Sequence, residues 1–364
     1  MLILHLAMGT DMASAQQIHQ TLDVPAPEIP SLPEPDRDTL TICILGDVMM
    51  HDAQISNALR KDGTYDFSTY FQFIKDDIAE ADIAIANMEF TLAGTPYTGY
   101  PNFSAPDSYA TYLKECGFDI FLTANNHIYD KGKEGAERTI QIYKDLDITY
   151  AGLAADGQEL ADNTPLILNK KGISIAIINM TYGTNTGIGS KWPYVNRLSH
   201  TSALEEAMKE AETCDFTIAL PHWGNEYELT HSPYQEETAK WLIANGADII
   251  VGAHPHVVQD MQEISNTYVI YSLGNAISNM SAANTQIELM AKIRVVREGM
   301  IIKKILQPEF TYLWCSRPGG YCSSYTVLPV TEFIGTRDTW QGAWEYDKMV
   351  TTYERVKSTT GIEE

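Results

Sequence analysis

The stretch Gly252-Ala253-His254-Pro255-His256-Val257-Val258-Gln259 follows Asp248-Ile249-Ile250-Val251, a short run with the β-branched character of a buried strand. A glycine ahead of the histidines and a proline between them specify a stiff turn, which aims two imidazoles from the end of that strand into one cleft. On its own the pair would fit a solvated loop equally well. Working outward, the same arrangement recurs. Asp47 stands in LGDVMMH (45–51), Glu89 in ANMEF (86–90), Asn126 and His127 in TANNHIYDKG (123–132), and His222 in LPHWGNEY (220–227). Each follows an apolar run of strand type, so each is expected at the carboxyl end of a strand, where open α/β sheets gather their ligands.

The segments between these motifs alternate in the manner of an α/β fold. LTICIL (40–45), DIAIAN (82–87), DIFLTA (119–124), DFTIAL (215–220), DIIVGA (248–253) and YVIYSLGN (268–275) read as strands. DITYAG (147–152), PLILN (165–169) and ISIAII (173–178) follow one another with little helix between them. Helical spacing is expected around Tyr70, Phe71, Ile74 and Ile78, from Ser108 to Cys116, around Ile140, Tyr143 and Leu146, from Ser202 to Thr213, and from Gln235 to Asn245. Residues 287–310 read as a hairpin turning at Arg297-Glu298-Gly299, and Trp340 to Val356 as a last helix packed on the outside. The Pro-, Gly- and Tyr-rich stretch 94–106 is long enough to be a substrate-facing loop. GTNTGIGSK (183–191) has the glycines of a phosphate loop but not the Walker spacing, so it reads as a rim loop and ATP binding by this route is excluded.

At 364 residues and 44% hydrophobic content the chain can bury a sizeable core. Its net charge of −23 excludes the basic footprint that nucleic acid or an anionic membrane surface requires. Residues 1–15 hold an apolar run from Leu2 to Met8 and then Ala13-Ser14-Ala15, a signal-peptidase pattern, yet no Lys or Arg precedes Arg37. Two readings stand: export to the periplasm or cell envelope, or a frayed cytoplasmic terminus. Residues 16–38, with Pro25, Pro27, Pro30, Pro33 and Pro35, read as an extended linker. The main domain is then expected over 39–312 and a C-terminal extension over 313–364. Of the five cysteines, Cys315 and Cys322 bracket SRPGGY (316–321) and would form a disulfide in an exported protein. His5, His19, His200 and His231 lack a strand-end context and read as surface residues.

Dinuclear hydrolase sites need an anionic bridging ligand, several neutral nitrogens and an open position for water. Asp47 and Glu89 supply carboxylates, His222, His254 and His256 imidazoles, and Asn126 a neutral oxygen. His127, next to a ligand but not required as one, is placed to protonate a leaving group, and Asp130 and Glu226 to orient imidazoles. Two divalent ions are expected, with zinc, manganese and iron all suited to such donors.

The ordered motifs GDVM, NMEF, ANNHIYDKG, HWGNEY, GAHPHVVQ and YSLGN, from about Thr41 to Asn275, resemble the CapA/PgsA family of poly-γ-glutamate capsule biosynthesis proteins within the calcineurin-like metallophosphoesterase superfamily. The resemblance implies a two-sheet α/β sandwich flanked by helices, with metals at the strand ends and a C-terminal hairpin and helical extension. It puts Asp47 where the superfamily has its first aspartate, Glu89 at the bridging carboxylate, and Asn126 and His127 at the asparagine and catalytic histidine. His222, His254 and His256 then match the later ligands. The superfamily's D-x-H is here Asp47-Val48-Met49, so one nitrogen ligand is missing, and His51 is the nearby candidate to replace it.

Two functions follow from the resemblance. One is a metal-dependent hydrolase of the cell envelope that cleaves a phosphoester or amide in a surface polymer or its precursor. The alternative is a non-catalytic factor that binds an anionic polymer during capsule assembly or export, working with capsule-synthesis membrane proteins.

Overall fold

The computed structural model describes residues 37–299 and 302–364. The expected leader, and the expected linker up to residue 36, lie outside the described residues, whereas Arg37 and Asp38 already open the first strand.

Four parallel strands carry the first half of the fold: β1 (Arg37–Val48), β2 (Ile83–Met88), β3 (Ile120–Leu122) and β4 (Thr149–Ala151). Their crossovers run through α1 (Asp52–Ala58), α2 (Lys75–Glu80), α3 (Asp107–Glu115) and α4 (Gly132–Asp145). After β5 (Leu153–Ala154) and α5 (Gly157–Asn163) the chain builds a second sheet. Its strands are β6 (Leu166–Lys170), β7 (Ile173–Thr181), β9 (Phe216–His222), β10 (Ile249–Val251), β11 (Met261–Ile264) and β12 (Thr267–Ile270). The short β8 (Tyr194–Val195) pairs with β5, while α6 (Thr201–Ala211) and α7 (Pro233–Ala244) make the crossovers. Ser232 starts α7 by accepting from the Gln235 amide, with Pro233 supplying a pre-set first turn.

The chain then returns to the first sheet with β13 (Ile287–Glu298), β14 (Ile302–Ile305), β15 (Glu309–Ser316) and β16 (Thr326–Pro329), and ends in α8 (Val330–Phe333) and α9 (Ala343–Thr360). The first sheet has the order β16-β15-β13-β1-β2-β3-β4, with β14 on β13, and the second β11-β12-β10-β9-β7-β6.

The two sheets pack face to face because their central strands are apolar on both faces, as strands buried on both sides must be. Ile42, Ile44, Ile83 and Ile85 of the first sheet share one buried cluster with Ile175, Ile177, Ile218 and Ile249 of the second. The outer face of the first sheet, including Cys43, Leu45 and Ala86, is covered by α3, α4 and the Phe67–Ile78 segment. The outer face of the second, including Ile178, Ala219 and Ile250, is covered by α6 and α7. This is the α/β, helix-flanked two-sheet sandwich expected.

Three local readings change. Tyr70, Phe71 and Ile74 are buried as expected, but the helix begins only at Lys75. Tight turns, with the Tyr70 amide on Phe67 O and the Ile74 amide on Phe71 O, satisfy the same three-residue spacing. Residue 312, the expected end of the main domain, falls inside β15. The residues beyond it form the edge of the first sheet: Trp314, Leu328, Met349 and Val356 are buried in the inter-sheet cluster, where α9 covers the face of β13 and β15. Cys315 and Cys322 are free thiols. The Cys315 Sγ is buried against Ser278 O at 3.5 Å, in the segment before β13, and the Cys322 Sγ lies 3.3 Å from Ser324 O within its own loop, so the two sulfurs have separate partners.

Candidate metal centre

The parallel strands of both sheets end on one side of the molecule, and the polar motifs meet there. At the end of β1 the register with β2 slips between Leu45 and Asp47. The bulge needs Gly46, since a Cβ there would lie 2.0 Å from Gly274 O. Asp47 is fully buried. Its Oδ1 accepts from Asn87 Nδ2 at 2.7 Å, and its Oδ2 accepts from the His254 amide at 3.2 Å and lies 3.4 Å from His256 Nδ1.

Glu89, one residue past β2, faces the same space. Its Oε1 lies 3.8 Å from His127 Nε2, 3.8 Å from His222 Nε2 and 3.9 Å from His256 Nε2. Both of its carboxyl oxygens are buried without a hydrogen-bond partner. Burial, reinforced by the Asp47 charge, pushes the Glu89 carboxyl well above its usual range.

His222 ends β9. Asn126 Oδ1 lies 2.8 Å from its Nε2, and Asn87 Nδ2 lies 3.3 Å from its Nδ1. His254 and His256 follow β10 with φ of +99° and +58°, a left-handed conformation that costs non-glycine residues of the order of 1–3 kcal/mol each. Holding both imidazoles inward requires this geometry. Asn275 Oδ1 meets His256 Nδ1 at 2.9 Å, while the buried His254 Nδ1 has no partner. Burial and the neighbouring imidazoles hold His222 and His254 well below the usual histidine range, so both are neutral, the state in which an imidazole can coordinate. At His256 burial alone would do the same, but Glu89 and Asp47 outweigh it and raise the group to about 9.

Donor atoms within 4.8 Å of one another form three groups: Glu89, His222 and His254; Asp47, Glu89 and His256; and Glu226, His254 and His256. Orphaned oxygens on Glu89, an orphaned nitrogen on His254 and neutral neighbouring imidazoles are what a cation would satisfy, so these residues fit divalent metal ions. Glu226, expected to orient an imidazole, is instead exposed and offers an oxygen to the third group.

His51 belongs to none of the three groups. It precedes α1 and is committed to that helix start: its amide donates to Gln54 Oε1 at 2.8 Å, and its Nδ1 lies 3.1 Å from the same oxygen and accepts from the Asn279 amide at 3.2 Å. Burial lowers its pKa to about 4, and the ring of Phe103 stands edge-on to both His51 and His127, at 5.2 and 4.7 Å. His51 lines the cleft beside His127 and His256 without joining the three donor groups, and Met49 is buried two residues before it.

His127 Nδ1 lies 2.6 Å from Asp130 Oδ2, an oxygen that also accepts from the Phe103 amide at 2.8 Å. The 94–106 loop thereby reaches the site through Phe103. Tyr100, which is 71% exposed, stands at the rim of a cleft of about 420 Å³ with His127, Glu226, Tyr227 and His256. From the 183–191 loop, Asn185 Nδ2 lies 3.4 Å from the His127 ring nitrogens. Two histidines expected at the surface are partly buried instead: His231 stacks on Tyr271 and pairs with Asp260 at 2.8 Å, and His200 Nδ1 lies 2.6 Å from Tyr194 Oη.

Sequence reasoning missed Asn87, Asn125, Asn185 and Glu288. Asn87 and Asn125 lie inside the quoted motifs, and Asn125 Nδ2 donates to Asn87 Oδ1 at 3.3 Å and to Met88 O at 2.9 Å. Glu288 had a signal: a carboxylate between Ile287 and Leu289 in an otherwise apolar strand. It is buried, and its Oε1 accepts from the Gly46 amide at 2.6 Å.

Residues 41–280 match the family model described as bacterial capsule synthesis protein PGA_cap. The chain is 27% identical over 286 residues to the capsule biosynthesis protein CapA of Bacillus anthracis, covering 74% of this chain and 67% of that one. It is 26% identical over 290 residues to the PGA biosynthesis protein CapA of Bacillus subtilis (strain 168), covering 75% and 72%. Among solved structures, the 5'-nucleotidase of Candida albicans SC5314 aligns at 12% identity with a TM-score of 0.42, over 87% of this chain and 58% of that one. The purple acid phosphatase PPD1 of yellow lupin seeds aligns at 10% with a TM-score of 0.39, over 78% and 52%. The chain thus spans just over half the length of these two structures.

Proposed function

This chain belongs to the PGA_cap family of bacterial capsule synthesis proteins, and we propose that it is a metal-dependent hydrolase of the cell envelope, cleaving a phosphoester or amide bond in a surface polymer or its precursor. The observation that carries this reading is Glu89, whose two carboxyl oxygens are buried and unpartnered while three imidazole nitrogens lie within 3.9 Å of one of them. A protein that only needed to fold would neutralise or pair such a group.

Asp47, Glu89, His222, His254 and His256 would hold two divalent ions, with Asn126 Oδ1 and Glu226 at the margins. Glu89, His254 and His256 each belong to two of the three donor groups, and Glu89, as the carboxylate among them, would be the ligand shared between the ions. When bound, such ions acidify water and neutralise negative charge at the reacting group. The chain positions the proton donor: Asp130 holds the Nδ1–H of His127, which turns Nε2 to the cleft, and in its imidazolium form His127 would give the Nε2 proton to the departing oxygen or nitrogen and keep the one on Nδ1. Phe103 shields that imidazole from water on one side. The similarity to capsule and PGA biosynthesis proteins supports action on the capsule and, with it, an envelope location; no described helix is long and apolar enough to cross a membrane.

One observation favours the second reading, a non-catalytic polymer-binding factor: Met49 is buried where the superfamily motif has its histidine, and His51 belongs to none of the three donor groups. Elemental mass spectrometry of the full chain beside His254→Ala/His256→Ala tests both readings. The hydrolase reading expects about two ions per chain, lost in the variant, and turnover of phosphodiester or γ-glutamyl anilide probes that Glu89→Gln and His127→Ala abolish. Normal turnover in both variants would sink it, and a chain that takes up no zinc, manganese or iron would give the lead to the binding factor.

A further inference from the structure

Across the 183–191 loop from His127 lies a second hollow, of about 500 Å³, whose lining includes Tyr129, Lys191, Tyr194, Arg197 and His200. It is tied to the metal centre by short bonds: the Asn185 amide donates to Asn126 O at 2.8 Å, Thr186 Oγ1 to Tyr129 O at 2.6 Å, and Tyr129 Oη to Pro193 O at 2.7 Å. Its chemistry is the reverse of the chain's. The sequence holds 48 acidic against 25 basic residues, yet Lys191 and Arg197 line this hollow and no Asp or Glu does.

Neither cation is consumed by an ion pair among the described residues. Arg197 Nη2 donates to Thr184 Oγ1 at 2.9 Å, and its charge bears on the phenols of Tyr129 and Tyr194. Lys191 Nζ lies 4.8 Å over the Trp192 ring. His200 is stacked on Tyr194, which holds its Nδ1 and so fixes the wall opposite the loop. The adjoining hollow on the far side of Arg197 and His200 carries Glu206 and Glu210, which confines an anion to the Lys191 side. The net negative charge of the chain does not override this arrangement, because at physiological salt fields are screened within about 8 Å and the nearest groups decide.

We infer that this hollow is an oxyanion subsite, seating a carboxylate or phosphate carried by a unit of the substrate chain beyond the one at Glu89. The inference rests on the hydrolase reading for its purpose but not for its test. A carboxylate or phosphate would bridge the Lys191 ammonium and the Arg197 guanidinium, with Tyr194 packed beside it. Such a subsite would give a polymer its register in a cleft whose own lining contains no Lys or Arg.

The test is isothermal titration of the full chain, metal-loaded and chelator-treated, with triglutamate and with tripolyphosphate. At least one probe is expected to bind the chelator-treated chain, more weakly as salt rises, and the preferred probe identifies the oxyanion. Lys191→Glu and Arg197→Gln are each expected to weaken that binding by about tenfold or more, with Arg197→Lys in between. His254→Ala/His256→Ala should leave it unchanged. Lys191 is exposed, so Lys191→Glu keeps the test valid should an Arg197 variant lose its fold. Binding of neither probe to the chelator-treated chain, or binding indifferent to Lys191→Glu, overturns the subsite while leaving the hydrolase reading standing. A chain that binds the probes but no metal does the opposite.

Discussion

Asp130 Oδ2 accepts the Nδ1 proton of His127 at 2.6 Å, and the same oxygen pins the Phe103 amide at 2.8 Å. One carboxylate therefore fixes the orientation of the His127 imidazole and the position of the ring that covers it. Asp130→Asn is expected to lower kcat by about 10–100-fold with KM changed by less than about twofold, because the group acts through His127 and not on substrate. The double variant Asp130→Asn/His127→Ala should be no worse than His127→Ala alone. Steady-state kinetics on whichever probe is turned over decides, and an equal rise in KM would assign Asp130 to binding.

Metal removal should destabilise the fold, and Glu89→Gln should act with opposite signs in the two states. With free metal at about a hundred times its Kd, binding adds about 2.7 kcal/mol to stability. In chelator-treated protein, Glu89→Gln removes a buried carboxyl that has no hydrogen-bond partner and is opposed by the Asp47 charge, and it is expected to raise stability by about 1–3 kcal/mol. In the loaded protein it should lower both stability and metal content. Thermal melts with and without chelator report all of this; a stabilised loaded variant would argue against Glu89 as a ligand.

Glu288 gives the metal-free chain a pH dependence whose sign is fixed. Burial, opposed only by the Gly46 amide and aided by Asp47, holds its carboxyl well above the usual glutamate range. A raised carboxyl favours folding in its protonated form, so its contribution is whole below about pH 4.5 and is lost as pH rises through the folded-state value. Glu288→Gln keeps the shape and an acceptor for Gly46 while removing the titration. Its Tm should match the parent's near pH 5 and exceed it at pH 8 in the presence of chelator; a constant difference across that range would rule the mechanism out.

Thiol chemistry separates Cys322 from the other four cysteines. All five should react in denatured, non-reduced protein, since none is bridged. In the native state one fast thiol is expected: Cys322 is only partly buried, whereas burial pushes Cys43 and Cys315 up to about 12. A count of three after denaturation would mean that the Cys315–Cys322 bridge forms after all.

The strand-end residues were legible because each of Asp47, Glu89, His222 and His254 follows an apolar run, and that local cue is enough to locate a cleft in an α/β sheet. What was illegible depended on pairing at a distance. Asn87 reaches His222 across 135 positions, a contact no window of sequence contains. His51 stood at a tempting spacing, but its Nδ1 accepts from the Asn279 amide, a partner 228 positions away. The boundary at residue 312 misled for a related reason. β15 and β16 look peripheral in sequence, and only the return of β13 beside β1 makes them the continuation of the sheet.

That return has a consequence for the order of folding. β1 pairs with β2 on one side and with β13 on the other, and the Gly46 amide closes onto Glu288 across 242 positions. Loop closure over such a span is slow compared with the local βα units that precede it. The loop that carries Asp47 is synthesised early yet gains its second neighbour only when the last quarter of the chain arrives. The candidate metal centre is thus a late product of assembly, and a nascent chain released before β13 would hold its donor residues without bringing them together.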